Sequence, residues 1–522
     1  MFHPRRTLRA LLLPLAAGLA LTALPAQTAQ AATTLTNGGF ETDGAGTATP
    51  AGWSTYSATG QNSASFTESG GHGGSYRLSH YSASAYKVET YQYLSGLTNG
   101  AYKLTAWVRS GGGQKSAYLA LKNCGSAEQR TDLPVSSSDW IRIVTSINVT
   151  NNQCTISVNS DANAGNWINV DDLTFTSGST GLSVKGADIS SLPKSEAFGG
   201  VYRTASGTAG DAVGILRSAG MNYARLKVWV NPADGYNNKT RTLALAKRIK
   251  ASGMKLLVDF HYSDTWADPG KQTKPAAWSG HSYSQLKTDV YNHTYDVLNA
   301  LKAQGTTADM VQVGNEINGG MLWSEGSTDN WSQLAGLLNS GYSAAKAVSS
   351  GTQVALHLAN AGDDATVRWW FDSAKTYGVN YDLIGLSYYG YWHGSLAAAQ
   401  TTLDDVASRY AKPVFIAETA YPFRLDSDDA LVNQIDTTGE LVGGYPATAA
   451  GQLAWMNAVA NIVEAVPNGR GLGVFYWEAT WTAVTGNGWD PADASSGNGW
   501  ENQALFGFDD RALSSMAWFA HR

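Results

Sequence analysis

A chain of 522 residues is too long for one ordinary domain and predicts two or three. Its residues are 43% hydrophobic and only 15% charged, which supplies a core and excludes a disordered chain. A formal net charge of -6 gives no electrostatic footprint for nucleic acid or an anionic membrane, so a neutral partner is expected.

At the N-terminus, Arg5, Arg6 and Arg9 precede an apolar stretch over 11–24, and Ala29-Gln30-Ala31 is a small-x-small cleavage site. This predicts a signal peptide over 1–31 and a secreted, extracellular protein. A membrane anchor is the alternative, but the stretch is short and Pro14 interrupts it. No later apolar run is long enough to span a bilayer. Export permits a disulfide, and the only two cysteines, Cys124 and Cys154, both in strand-like segments, are expected to form one.

Residues 32–177 read as an all-β sandwich. Segments such as 102–108 (YKLTAWV) and 140–144 (WIRIV) alternate with period two, and Gly, Asn and Ser clusters punctuate them. Residues 178–184 form a short linker, rich in Gly and Ser at its start. Beyond it, apolar runs alternate with helical stretches, several of which end on a glycine, as at Gly220, Gly253, Gly305 and Gly378. Eight strand candidates follow, at 185–189, 223–228, 255–260, 310–314, 353–358, 383–387, 413–417 and 472–477. Their continuous apolar character fits parallel strands covered on both faces, and eight units over 185–522 fit a closed (β/α)8 TIM barrel. An open doubly wound sheet is the alternative, but the chain has no strict GxGxxG or GxxxxGK[ST] turn.

Polar residues gather just past the strand ends, and in a barrel those ends open on one face. Glu316 follows the fourth strand and Glu418 the seventh, on opposite sides of the ring. Glycosidic cleavage needs two such carboxyls, one protonated and one ionised, at roughly 5 Å in a retaining enzyme. A stray charge directly after an apolar strand is costly to bury, which favours a functional reading of both. Glu478, after the eighth strand, is a rival. Asn315 is placed to hydrogen-bond a sugar hydroxyl beside Glu316. Arg225, a cation inside an apolar strand, is expected to keep Glu418 ionised, a structural salt bridge elsewhere being the alternative. His261, His357 and His393 invite a metal reading, but no HExxH or other tight ligand spacing supports one, so contacts to sugar or to the carboxylates are preferred. No GxSxG elbow points to a serine hydrolase. Eighteen tryptophans and twenty-five tyrosines suit both core packing and the stacking of sugar rings.

These motifs carry a resemblance. RLKVWVNP (225–232), DFHYSD (259–264) with WADPG (266–270), VGNEIN (313–318), IGLSYY (384–389), IAETAY (416–421), FYWE (475–478) and WENQALF (500–506) resemble endo-β-1,4-galactanases of glycoside hydrolase family 53. The resemblance implies a retaining barrel enzyme with Glu316 as acid/base and Glu418 as nucleophile. It implies β-1,4-galactan, the pectic side chain and type I arabinogalactan backbone, as substrate, with no cofactor for catalysis. It places Asp268, Pro269, Gly270 and Lys271 beside the substrate groove. His261, His357, Tyr389, Trp392 and Trp477 are further substrate-binding candidates. Two stretches depart from the family pattern. Tyr389-Gly390-Tyr391-Trp392 stands where proline and phenylalanine are usual, and Asp426, Asp428 and Asp429 do not reproduce the calcium pattern of some bacterial members. The N-terminal region resembles a jelly-roll carbohydrate-binding module of the galactan-binding kind. From that likeness Glu41 and Asp172 are candidate ligands of a structural calcium, and Trp107 and Arg109 candidate sugar contacts. A barrel hydrolase acting on mannan or xylan and a non-catalytic carbohydrate-binding protein are the rival readings, and a monomer is the default state.

Overall fold

A computed structural model describes residues 35–521. The expected signal peptide over 1–31 lies outside the described residues.

The N-terminal unit is a sandwich of two five-stranded antiparallel sheets. The first sheet contains β1 (Ser54–Tyr56), β4 (Tyr86–Ser95), β6 (Ser116–Lys122), β7 (Gln129–Asp132) and β9 (Gln153–Ala162), in the order β1-β4-β9-β6-β7. The second contains β2 (Ser65–Ser69), β3 (Tyr76–Tyr81), β5 (Gly100–Ser110), β8 (Ser136–Val149) and β10 (Trp167–Ser177), in the order β2-β3-β10-β5-β8. Strand alternation sorts the side chains. In β5, Leu104, Ala106 and Val108 are fully buried between the sheets, while Thr105, Trp107 and Arg109 look outward. Cys124 and Cys154 are bonded, tying the end of β6 to β9.

The second unit is a closed barrel of eight parallel strands: Val184–Asp188, Tyr223–Val228, Lys255–Phe260, Met310–Val313, Gln353–Leu358, Leu383–Ser387, Val414–Thr419 and Gly471–Tyr476. Each pairs with the next, and the first pairs with the eighth, so no edge remains. The expected strands are recovered with shifts of one or two residues at their ends. Gly253 and Gly305 end the helices Lys239–Ala251 and Tyr283–Ala303 in the left-handed region, at φ 77° and 83°.

Alternation also layers the barrel interior. Val184, Tyr223, Leu257, Met310, Ala355, Leu383, Phe415 and Phe475 form an apolar plug at the bottom. Two residues further along, four of these strands bring a polar group to the same inner face: Arg225, Asp259, Gln312 and His357. The seventh strand breaks the rhythm. Its register shifts between Ile416 and Thr419, and this bulge turns Glu418 inward immediately after the inward Ala417.

The linker is pinned to the barrel, with Thr180 Oγ1 donating to Glu464 Oε1 at 2.5 Å.

The Cys124–Cys154 bond closes a span of 30 residues. Replacing both cysteines by serine is expected to cost the sandwich about 3–4 kcal/mol through the released loop entropy. Chemical denaturation of the two proteins, followed through the sandwich transition, measures this.

Candidate active site

Above the apolar plug the barrel buries a cation, Arg225, which is 1% exposed. Its guanidinium donates from Nη1 to Asp188 Oδ2 (2.9 Å) and from Nη2 to Asp259 Oδ2 (2.9 Å), Asn315 Oδ1 (2.9 Å) and Glu418 Oε1 (2.8 Å). Its Nε donates to Gln312 Oε1 at 2.7 Å. Three carboxylates facing one guanidinium raise its pKa despite burial, so it is permanently charged.

That fixed donor orients the groups beyond it. Gln312 spends its oxygen on Arg225, so its amide Nε2 donates to His357 Nδ1 (2.9 Å). His357 Nδ1 also lies 2.9 Å from Asn315 Oδ1, its Nε2 meets Ser387 Oγ (2.8 Å), and Ser387 donates to Glu316 Oε1 (2.6 Å). Burial, then the charge of Arg225, holds His357 well below the usual histidine range, in keeping with a neutral ring. Ser387 is also the register partner of Glu418. Glu316 and Glu418 are thereby brought to one site, where the charge of Glu316 adds to the proton affinity of Glu418.

Their environments differ. Glu418 is 6% exposed and accepts from Arg225 and from Tyr389 Oη (3.1 Å). Burial raises its pKa to about 8, with Arg225 the largest opposing influence and the charge of Glu316 a further raising one. Glu316 is half-buried, and among the described residues the side chain bonded to its carboxyl is the neutral Ser387 hydroxyl. Burial first, then the charge of Asp268 among others, pushes it up to about 7. The pair titrates as a coupled unit. With three carboxylates sharing one guanidinium, a proton is best accommodated on the carboxyl that has no cation, which is Glu316. Its backbone also sits in the left-handed region at φ 46°, a strain of roughly 1–3 kcal/mol of the kind stored at functional sites.

The other sequence candidates divide into three groups. His261 is 4% exposed, with Nδ1 accepting from Trp229 Nε1 (3.2 Å) and Ala267 N (3.1 Å) and Nε2 against Asp259 (3.0 Å). Like His357, it is buried and bonded to protein partners. Glu478 is fully buried, bonded to Lys227 Nζ and accepting from Ser191 N at 3.3 Å, so it does not face the pair. Lys227 in turn lies 4.2 Å over the Trp266 ring. The remaining candidates line open space. A groove of about 730 Å³ is bounded by Trp266, Asp268, Lys271, Trp477, Trp481 and Trp500, with Pro269-Gly270 forming the tip of the turn that Asp268 and Lys271 close. Trp392 stands 51% exposed beside Tyr389 and Trp500.

The Gly390-Tyr391 departure has a packing reason. A Cβ at Gly390 would lie 2.2 Å from the buried Trp455 ring, which excludes a side chain there. Tyr391 adds a hydrogen bond to Gln503 Oε1 at 2.7 Å.

A model of glycosyl hydrolase family 53 matches residues 184–519. The chain belongs to this family. It is 36% identical over 374 residues to the endo-beta-1,4-galactanase of Bacillus subtilis, covering 65% of this chain and 85% of that one. It is 35% identical to the arabinogalactan endo-beta-1,4-galactanase of Thermothelomyces thermophilus, covering 65% of this chain and 99% of that one. Among solved structures it resembles the Ignisphaera aggregans GH53 catalytic domain, with 38% identity, a TM-score of 0.62, and coverage of 65% of this chain and 95% of that one.

Family 53 membership concerns the barrel; the sandwich has its own candidates. Trp107 has the His72 ring stacked on it at 4.0 Å and the Arg142 guanidinium 5.3 Å from its ring. Arg109 instead borders an open cleft. The donors expected to hold calcium do not fit a cation. Glu41 Oε1 already accepts from Ser75 N (2.7 Å) and Tyr76 N (2.6 Å), and Asp172 faces His72 Nδ1 (2.7 Å). Among the described residues no three His, Cys, Asp or Glu side chains converge as a metal site.

The sequence alone assigned no role to Asp188, Lys227, Asp259, Gln312 or Ser387. The available signal was the one that exposed Arg225, a polar residue at an inward strand position.

A carboxyl held protonated by its surroundings contributes stability below its unfolded pKa and loses it as pH rises through about 7. Glu316→Gln is therefore expected to match the wild type near pH 4 and to be more stable by about 2–3 kcal/mol near pH 8. Denaturant titrations at the two pH values read the difference.

Proposed function

We propose that this family 53 protein is a secreted, monomeric endo-β-1,4-galactanase that cleaves galactan and type I arabinogalactan with retention of configuration. The observation that carries the reading is the asymmetry of the two carboxyls, Glu418 on Arg225 and Glu316 on a neutral hydroxyl. The named activities of the Bacillus and Thermothelomyces relatives support the bond specificity. The tryptophan-lined groove beside Glu418 suits the apolar faces of pyranose rings, and Asp268 and Lys271 at its edge suit their hydroxyls.

In the first step the Glu316 carboxylic acid gives its proton to the glycosidic oxygen. The Glu418 carboxylate attacks the anomeric carbon, the C1–O bond breaks, and a galactosyl ester forms on Glu418. In the second step the Glu316 carboxylate takes a proton from water, the water oxygen attacks C1, and the ester breaks to give a β-configured product. Tyr389 remains a hydrogen-bond donor to Glu418, because burial and that carboxylate hold its hydroxyl well above the ordinary range. Asn315 joins Arg225 to the Ala267 carbonyl (2.8 Å), fixing the backbone beside the acid. His261 and His357 serve as positioning residues in this scheme. The sandwich serves as a galactan-binding module, with Arg109 as a contact.

Glu418→Gln is expected to abolish release of reducing sugar from galactan. NMR of early wild-type products should show the β-anomer, and an initial α-anomer would rule out the ester. Because the Ser387 hydroxyl lowers the Glu316 pKa, Ser387→Ala should move the alkaline limb of kcat/KM to higher pH. A pH–rate profile on a soluble oligosaccharide checks the direction.

A further inference from the structure

The outer face of the second sandwich sheet is divided between two environments. At the β8 edge it is docked on the barrel. Arg142 Nη2 bonds both oxygens of Asp404 (2.8 and 2.7 Å) and, with Nε, the carbonyl of Ala465 (2.8 and 3.2 Å). The Gln400 amide accepts from Arg142 N (2.7 Å) and donates to Arg142 O (2.8 Å), satisfying the strand edge as a neighbouring strand would. Val135 N donates to Tyr445 Oη at 3.2 Å. These contacts, together with the pinned linker, set the orientation of the sandwich on the barrel.

Beside this docked edge the same face is open. Strand register carries a row straight across it: Phe66 opposite Ser79, Ser79 opposite Asn169, and Asn169 opposite Arg109. Arg109 then lies 4.6 Å over Trp140 on β8. From β2 to β8 the row spans roughly 19 Å. It is floored by a cleft of about 280 Å³ that combines Trp167 and Tyr81 with Arg77, Glu68 and Arg109. The Nε atoms of Arg77 and Arg109 are buried without an acceptor among the described residues. Flat rings beside the Arg77, Glu68 and Arg109 side chains of this cleft suit a neutral sugar chain.

The row begins near the catalytic mouth. Asp139, next to Trp140, accepts from Ser395 Oγ at 3.5 Å. Ser395 caps the helix Leu396–Arg409 and follows the loop that carries Tyr389 and Trp392. In a (β/α)8 barrel that loop lies at the catalytic end. The Trp392 and Ser395 Cα atoms are three residues apart, at most about 11 Å.

We infer that a single polysaccharide chain occupies both units at once. Its reacting part lies in the barrel cleft, and the part outside leaves past Trp392 and crosses the sandwich over Trp140, Arg109, Trp167 and Arg77. The inference rests on the galactanase reading. Docking fixes the angle between the two sites, so the second contact is made at high effective concentration without the ordering cost of a flexible tether.

The test uses the full-length Glu418→Gln protein and isothermal titration with β-1,4-galacto-oligosaccharides, from the trisaccharide to chains of about ten units. One long chain should bind per protein, at least about 100-fold tighter than the trisaccharide. Adding Arg109→Ala, or Tyr81→Ala at a position 43% exposed and safe for folding, should remove most of that gain. Two long chains per protein, an affinity independent of length, or a gain that survives both variants would overturn the inference. Failure of the galactanase reading would be seen separately, as wild-type protein that releases no reducing sugar from galactan.

Discussion

The burial of one guanidinium organises this molecule. Arg225 stands where the apolar plug of the barrel ends, and removing a charge from water at that depth is tolerable only if it is fully paired. The pairing recruits Asp188, Asp259 and Glu418 from three strands and leaves a surplus of negative charge. That surplus gives the site its chemistry. A fourth carboxyl, Glu316, enters a region already negative and without a cation of its own, so its proton is retained. The same guanidinium fixes the Gln312 amide with its oxygen toward Arg225 and its Nε2 toward His357, because it has no acceptor atoms.

Much of this was legible in the sequence, for identifiable reasons. Strands covered on both faces must be continuously apolar, so the eight barrel strands stood out, and a cation or carboxylate beside them was conspicuous. Arg225 and Glu418 were paired correctly on that ground alone. What stayed hidden depends on geometry that composition does not encode. The bulge that turns Glu418 inward is a register shift between strands, invisible in one strand's own alternation. Gln312 and Ser387 are ordinary polar residues until their neighbours are known. His261 and His357 looked like sugar contacts because they follow the pattern of the site, yet their ring nitrogens are already used.

The sandwich illustrates the same limit. Its alternating strands announced a β-sheet domain, but alternation cannot say which outward residue is left free. Trp107 and Arg109 sit two positions apart on β5, and only tertiary packing sets the first against His72 and Arg142 and the second at a cleft. Docking on the barrel, through residues far apart in sequence, then turns that cleft into a neighbour of the catalytic mouth.

The central claim is that Arg225 assigns the negative charge to Glu418 and leaves the proton on Glu316. The most direct measurement is a pH titration of the two carboxyl carbons by NMR in glutamate-labelled protein, assigned with Glu316→Gln and Glu418→Gln. With the charge held by Arg225, the Glu418 resonance reports the ionised form first as pH rises and Glu316 follows at higher pH. The reverse order, with Glu316 ionising while Glu418 keeps its proton, would contradict it.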